Sequence, residues 1–361
     1  MVGTAVHIRE ATRGYERWLG GRMRLVTADL RQKHREMGRG VFPFMRATFY
    51  RWCQLWPELA PNERRAPAVL AVGDLHIENF GTWRDGEGRL VWGINDFDEA
   101  TTLPWSQDLV RLATSAHLAI SSDHLTVRRR EACDAILEGY RDGLESGGEA
   151  FVLEERHPWL RELAMGDLRD PAAFWKKLDA LAPERHPDAT AARALADDLP
   201  EDDLPHRLCH RVAGLGSLGR PRMVAMAAWR GGYVAREAKH TAPSAWVWAT
   251  NGRETRCRSD ELLARAIRVP DPTVRVVGDW LLRRLAPHCA RMELAELPRD
   301  RDETRLLYAM GRETANVHLG TKGAGPRILR DLRRRHARWL PKLTKRFVAA
   351  VNEDWRSWQR G

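Results

Sequence analysis

Cysteine is scarce in this 361-residue chain: Cys53, Cys133, Cys209, Cys257 and Cys289 are an odd number, lie far apart and include no CxxC pair. That excludes a disulfide framework and a cysteine-built zinc site, and the expectation is a reduced, cytoplasmic protein. Runs of about 18 apolar residues are missing, and the N-terminus MVGTAVHIREATRGYERW lacks the apolar centre of a signal peptide. Neither export nor a membrane partner is therefore expected. There is no low-complexity tract and no internal repeat, which sets aside disordered and solenoid classes. Strand signals are lacking over residues 1–66.

What is present is globular: 43% hydrophobic and 30% charged residues, with a net charge of +10. Such a charge favours an anionic partner. The densest basic run, RILRDLRRRHARWLPKLTKR (residues 327–346), reads as one helix whose charged face is solvated. Binding of nucleic acid by that helix is the lesser alternative.

Apolar residues at three- and four-residue spacings predict helices over 15–60, closed by Pro57, Pro61 and Pro67. A buried strand is expected at APAVLAVGD, and the turn RDGEGR separates FGTW from LVWGIN as a hairpin. Helices follow at SQDLVRLATSAHLAI and VRRREACDAILEGYRDGL. Residues 150–205 are rich in Ala, Asp and Pro, and ATAARALADDLPEDDLP is expected to connect two lobes. Beyond it, RVAGLGSLGRPRMVAMAAWRGGYVAREAK reads as strand, glycine loop, strand, Gly-Gly turn and strand. A helix capped by Ser259, strands at TVRVVGDWLLRRLA and RMELAEL, and the helix DETRLLYAMGRETANVH complete the pattern.

Carboxylates gather around the hairpin. Phosphoryl transfer needs an acid that orients the incoming hydroxyl, an amide that holds magnesium, and a second acid that bridges magnesium to the phosphates. Protein kinases use an Asp, an Asn five residues later and an Asp after the next hairpin. Asp74, Asn79 and Asp96 stand in that order, and Asp98, two residues on, shares a face with Asp96 in extended backbone. Asp108 is expected to cap a helix or to hold the loop by accepting backbone N–H bonds. Asp85 and Glu87 are turn formers. Trp52, Trp56 and Trp105 are expected in the core.

GDLHIENFGTW, NDFDEA and DLVRLATS, with FMRATFYRW, GLGSLGRPR and REAKHTAPSAW, resemble the bacterial family known as domain of unknown function 2252. That family is grouped with the aminoglycoside phosphotransferases and protein-kinase-like folds. The resemblance implies an α+β, two-lobed, kinase-like transferase that uses ATP and Mg²⁺ on an unidentified hydroxyl acceptor. By it Asp74 is the catalytic-loop Asp, Asn79 the metal-binding Asn and Asp96 the metal-binding Asp. Phosphotransferases of this kind carry His or Arg just ahead of that first Asp, whereas Val72 and Gly73 stand here.

The stretch GLGSLG contributes Gly214, Gly216, Ser217 and Gly219 as a phosphate-covering loop, if it joins two antiparallel strands and does not open a helix. A phosphate-steadying cation is either Arg236 or Lys239, on opposite strand faces, with Glu261 as the partner expected of Lys239. The order is inverted relative to a kinase, since Asp74 precedes Gly214. A circular permutation reconciles them: residues 1–204 as the helical large lobe, 205–298 as a small β-rich nucleotide lobe, and 299–361 as helices returning to the large lobe. Competing readings are a nucleotide-binding pseudokinase and an AMP transferase.

Overall fold

The three- and four-residue apolar spacing of the first 60 residues folds as expected. In the computed structural model, which describes residues 6–154, 156–165, 170–289 and 301–360, four helices open the chain: α1 (Ile8–Gly20), α2 (Thr27–Arg39), α3 (Val41–Ala47) and α4 (Phe49–Leu59). α1 buries Ile8, Ala11, Thr12, Tyr15 and Leu19 as one stripe. Pro57 does not close α4, which runs on to Leu59, because a proline this near the end removes a single bond of the last turn. Trp52 and Trp56 are buried and stack on Phe347, at centroid distances of 3.9 and 5.3 Å.

Short strands follow: β1 (Ala68–Ala71), β2 (Phe80–Arg84), β3 (Leu90–Ile94) and β4 (Thr101–Pro104). β2 and β3 form the expected antiparallel hairpin, with Phe80 opposite Ile94 and Arg84 opposite Leu90. Its turn is tied by Asp85, whose carboxylate accepts from the backbone N–H of Glu87 (3.0 Å) and Arg89 (2.8 Å). β1 pairs antiparallel with β4. α5 (Ser106–Ser121) is buried on every side from Ser106 to Ala119, which makes it the axis of the large core. α6 (Arg129–Glu145), β5 (Phe151–Val152) beside β3, and α7 (Pro158–Met165) continue it.

The stretch expected to connect two lobes instead covers a sheet. Five antiparallel strands lie in the order β6 (Arg207–His210), β7 (Arg222–Trp229), β8 (Gly232–His240), β10 (Trp280–Leu285), β9 (Arg275–Val277). α8 (Pro171–Asp179) brings Leu178, Phe174 and Trp175 to the face bearing Val224, Met226, Ala235 and Leu285. α9 (Ala189–Ala196) lays Ala191, Ala194 and Leu195 on the face bearing Met223, Ala225, Ala238 and Leu282. Alternate residues of β7 thus serve two small cores, as a strand's period of two requires.

α10 (Ala245–Thr250) and α11 (Ser259–Arg265) lead back to the large core. Ser259, expected as a cap, is the first helical residue; Arg258 precedes it, with its N–H held by Ala100 O at 3.1 Å. The strand expected at 291–297 lies outside the described residues. α12 (Glu303–Leu319), capped by Asp302, packs closely along α6, because Gly139 and Gly311 each face a backbone carbonyl of the other helix where a Cβ would collide.

The basic run does not form one helix: α13 (Ala324–Arg334) and α14 (Trp339–Gln359) are separated at Arg335. There the backbone turns extended, so the Arg335 guanidinium points inward onto Glu63 and Asp331 and lies over Trp105 and Trp339 at 4.6 and 4.5 Å. The architecture is α+β with small antiparallel sheets, and among the described residues no helix is long and apolar enough to cross a membrane.

Candidate functional site

The loop between β1 and β2 is shaped by one buried acid. Asp108, in the first turn of α5, accepts from the backbone N–H of Val72 (2.8 Å) and Gly73 (2.9 Å), and His318 of α12 adds a ring nitrogen at 3.1 Å. That is the loop-holding role its position suggested. Gly73 has φ +86°, and a Cβ there would sit 2.5 Å from the Glu99 carbonyl oxygen, so the residue ahead of Asp74 has to be glycine. Asn79 Nδ2 donates to the Asp74 carbonyl (2.6 Å), and its own carbonyl accepts from Asn95 N–H (2.9 Å), which closes the loop onto the hairpin's far end.

Asp74 is supported from another element. Arg111 of α5, 1% exposed, donates through Nε to Asp74 Oδ1 (2.6 Å) and through Nη2 to Met45 O (2.8 Å), and it lies over Phe49 and Trp52 at 5.0 and 4.9 Å. Its guanidinium sets a positive charge against Asp74 from a neighbouring helix. Burial pushes the Asp74 carboxyl up to about 7; Arg111 pulls the other way, while Glu99 and Asp96 add to the rise.

Past the hairpin, Lys239 of β8 bridges Asp96 Oδ1 (3.3 Å) and Asp98 Oδ2. Desolvation works to raise Asp96, but Lys239, Arg283 and Arg222 outweigh it and hold the group well below the usual range. Asp98 Oδ1 is buried and finds no hydrogen-bond partner among the described residues. Glu261 is not the partner of Lys239. It binds Arg258 (2.6 Å) just ahead of its helix and Arg265 (2.9 Å) within it, because the register of β8 delivers Lys239 to the hairpin's end. Arg236, on the opposite face of β8, is tied to Asp198 (2.8 Å) away from the loop.

The glycine stretch joins antiparallel β6 and β7, and no helix follows it, which excludes a dinucleotide-type turn. Gly214 (φ +74°) and Gly219 (φ +97°) bracket a short 3-10 turn, Leu215–Ser217. Lys33 of α2 donates to Gly216 O (2.8 Å), and Arg222 Nη2 to Ser217 Oγ (3.0 Å). Burial, reinforced by Arg220, lowers Lys33 to about 8. A Cβ on Gly216 would lie 3.3 Å from both Asp74 Oδ2 and Arg46 O, so the loop rests directly on the acid.

One cavity, about 40 Å³, collects these parts: Asp74, Asn79, Asp96 and Asp98 face Gly214, Gly216 and Ser217 across it. Gly219, Lys239, Arg236 and Glu261 are not in its wall. Tyr15, Arg46 and Tyr50 from the opening helices, with Glu99 and Arg220, also line it. Arg220, 4% exposed, binds Glu99 (2.7 Å) and Tyr15 (3.1 Å), and its Nε and Nη1 find no partner among the described residues. Sequence reading missed this group and Arg111. The signal for Arg111 was a lone Arg in the apolar helix DLVRLATS; Arg220 had none.

The donor set fits a hard divalent ion in chemical type: the amide of Asn79 and the carboxylates of Asp96 and Asp98, one oxygen of Asp98 being buried and unused. Among the described residues no three His, Cys, Asp or Glu side chains converge well enough to hold a metal by themselves. No curated protein and no solved structure matches the chain. Residues 24–174, which contain the loop and the hairpin but stop short of the glycine stretch, match the sequence model of a family described as "Uncharacterized protein conserved in bacteria (DUF2252)".

Proposed function

We propose that this protein is a nucleotide-dependent phosphotransferase of the kinase-like type, circularly permuted, acting on a hydroxyl acceptor with ATP and Mg²⁺. The observation that carries the reading is the single cavity in which Asp74, Asn79, Asp96 and Asp98 face Gly214, Gly216 and Ser217 from far along the chain. The late helix α12 supports the permutation. It meets the start of the loop through His318 on Asp108, and Thr321 just beyond it accepts from Leu70 N–H at 2.8 Å.

In this reading the acceptor hydroxyl gives its proton to the Asp74 carboxylate as its oxygen bonds to the terminal phosphorus of ATP, and the bond to the bridging oxygen breaks to release ADP. A group brought to about 7 by burial is suited to that exchange near neutrality. Magnesium, held by Asn79, Asp96 and Asp98, would neutralise phosphate charge. Lys239 orients both acids. At about 40 Å³ the cavity admits a few water-sized groups, so the glycine loop lifts off Asp74 to admit a nucleotide.

Thermal shift with ATP, ADP, AMP and GTP, each with and without MgCl₂, tests the binding half. The expected result is a magnesium-dependent rise in Tm with a triphosphate. Intact-mass analysis of products then separates phosphate transfer from AMP transfer. No stabilisation by any nucleotide at millimolar concentration would sink the reading.

A further inference from the structure

Beneath the glycine loop, the inner face of the sheet carries more positive charge than its acids balance. Strand register puts Arg222 beside Lys239 and Glu237 beside Arg283, all on one face. Glu237 is 0% exposed and is met by three guanidiniums: Arg283 (2.7 Å), Arg222 (3.1 Å) and Arg211. One carboxylate neutralises one of them. Lys239, the fourth cation of the face, lies between Asp96 and Asp98, whose charges also act on Arg283, so four cations stand against three carboxylates.

Burying like charges together is costly unless an anion joins them. Glu237 registers the attraction of the three arginines, and Arg211 registers their crowding. Burial alone would raise Glu237, yet Arg211, Arg222 and Arg283 hold it well below its usual range. Arg211 is pushed down by burial and, although Glu237 opposes this, by the charges of Arg222 and Arg283. The cluster is not sealed: the side chains of Arg211 and Arg283 keep 22% and 29% of their surface. Arg222 reaches Ser217 of the glycine loop, which carries the cluster up to the loop that faces Asp74.

We propose that Arg211, Arg222 and Arg283 seat the polyphosphate chain of the donor, with Glu237 as the fixed counter-ion that keeps the three guanidiniums arrayed when no ligand is bound. Planar forks of this kind match phosphate oxygens two at a time, which an ammonium does not. The inference rests on the phosphotransferase reading and extends it. Three arginines, not a single lysine, grip the donor, so the ligand class is set by phosphate count: triphosphate before diphosphate, and monophosphate hardly at all.

Calorimetric titration of the full chain with inorganic tripolyphosphate, ATP and AMP tests it. In Arg211→Gln and Arg283→Gln, tripolyphosphate and ATP should each bind at least tenfold more weakly, AMP should change less than twofold, and Arg230→Gln, on an exposed hairpin, should match the wild type. Glu237→Gln guards against mere loss of folding. It should lower the Tm of the free protein yet tighten tripolyphosphate binding, whereas a misfolded protein would bind less.

Wild type that binds neither tripolyphosphate nor ATP overturns the proposal. Arginine variants that bind ATP as wild type does while phosphate is still transferred overturn it and leave the phosphotransferase reading standing. Arginine-dependent tripolyphosphate binding without transfer from any nucleotide upholds the cluster and removes the phosphotransferase.

Discussion

Asp74→Asn should stabilise the protein in a pH-dependent way that needs no knowledge of the substrate. The Asp74 carboxyl stands at about 7 in the folded chain against an ordinary 3.8. Between those values the unfolded chain has released its proton and the folded chain has not, so stability falls as pH rises through that window and is level above it. At 1.36 kcal/mol per unit, the difference of about three units caps the loss at about 4 kcal/mol. Asparagine mimics the protonated acid at every pH and does not suffer this loss. The gap in Tm between variant and wild type should therefore widen from pH 4 to pH 7, by about 5 °C for a chain of this length, and then stay constant. Melting curves at half-unit steps, followed by circular dichroism, would measure it. A gap that is constant over pH 4–8, or that narrows with pH, refutes the claim that burial outweighs Arg111 at this acid.

Three further outcomes follow from the same geometry. Lys239→Met strips the shared ammonium from Asp96 and Asp98, and the free protein should lose about 3–5 kcal/mol in denaturant melts. MgCl₂ should restore more of that loss than the same ionic strength of NaCl, and equal recovery in both salts would speak against a cation site at these acids. Gly73→Ala forces a left-handed residue against the Glu99 carbonyl and should cost at least about 2 kcal/mol by chemical denaturation; a change within 0.5 kcal/mol would show the loop to be looser than described. Asp108→Asn replaces one of two buried carboxylate oxygens by an NH2 group that cannot accept, so one of the Val72 and Gly73 N–H groups loses its partner; a loss of about 2–3 kcal/mol is expected, with faster amide exchange in that pair than elsewhere in the core. Uniform exchange would argue against its role in shaping the loop.

Local order carried most of what could be read before the fold was known. The hairpin at 80–94 was legible because RDGEGR permits few other conformations between two apolar runs, and the helices of the large core because their apolar stripes repeat every three or four residues. The Gly-Gly turn at 231–232 similarly disclosed β7 and β8. Misreadings arose where distant packing overrode local preference. The segment around α9 reads as a connection between lobes from its Ala, Asp and Pro content, yet its alanines lie flat on the sheet. The run at 327–346 reads as one helix in spite of Pro341; it breaks at Arg335, whose guanidinium turns inward to Glu63 from the other end of the chain, and Pro341 falls in the first turn of the helix that follows.

Composition and spacing alone determined the expectation of free thiols and the candidacy of Asp74, Asn79, Asp96 and the glycine stretch, since these depend on residue type and on order along the chain, and the resemblance added the α+β class. Tertiary structure decided which of them meet. It brought Gly216 onto Asp74, turned Lys239 and not Arg236 toward Asp96 and Asp98 by strand face, sent Glu261 to Arg258 and Arg265, and supplied Arg111, whose local sign is a charge in an apolar helix, and Arg220, which has none. Charges act through space and not along the chain, so the partner of a buried ion is fixed only when the whole core has closed around it.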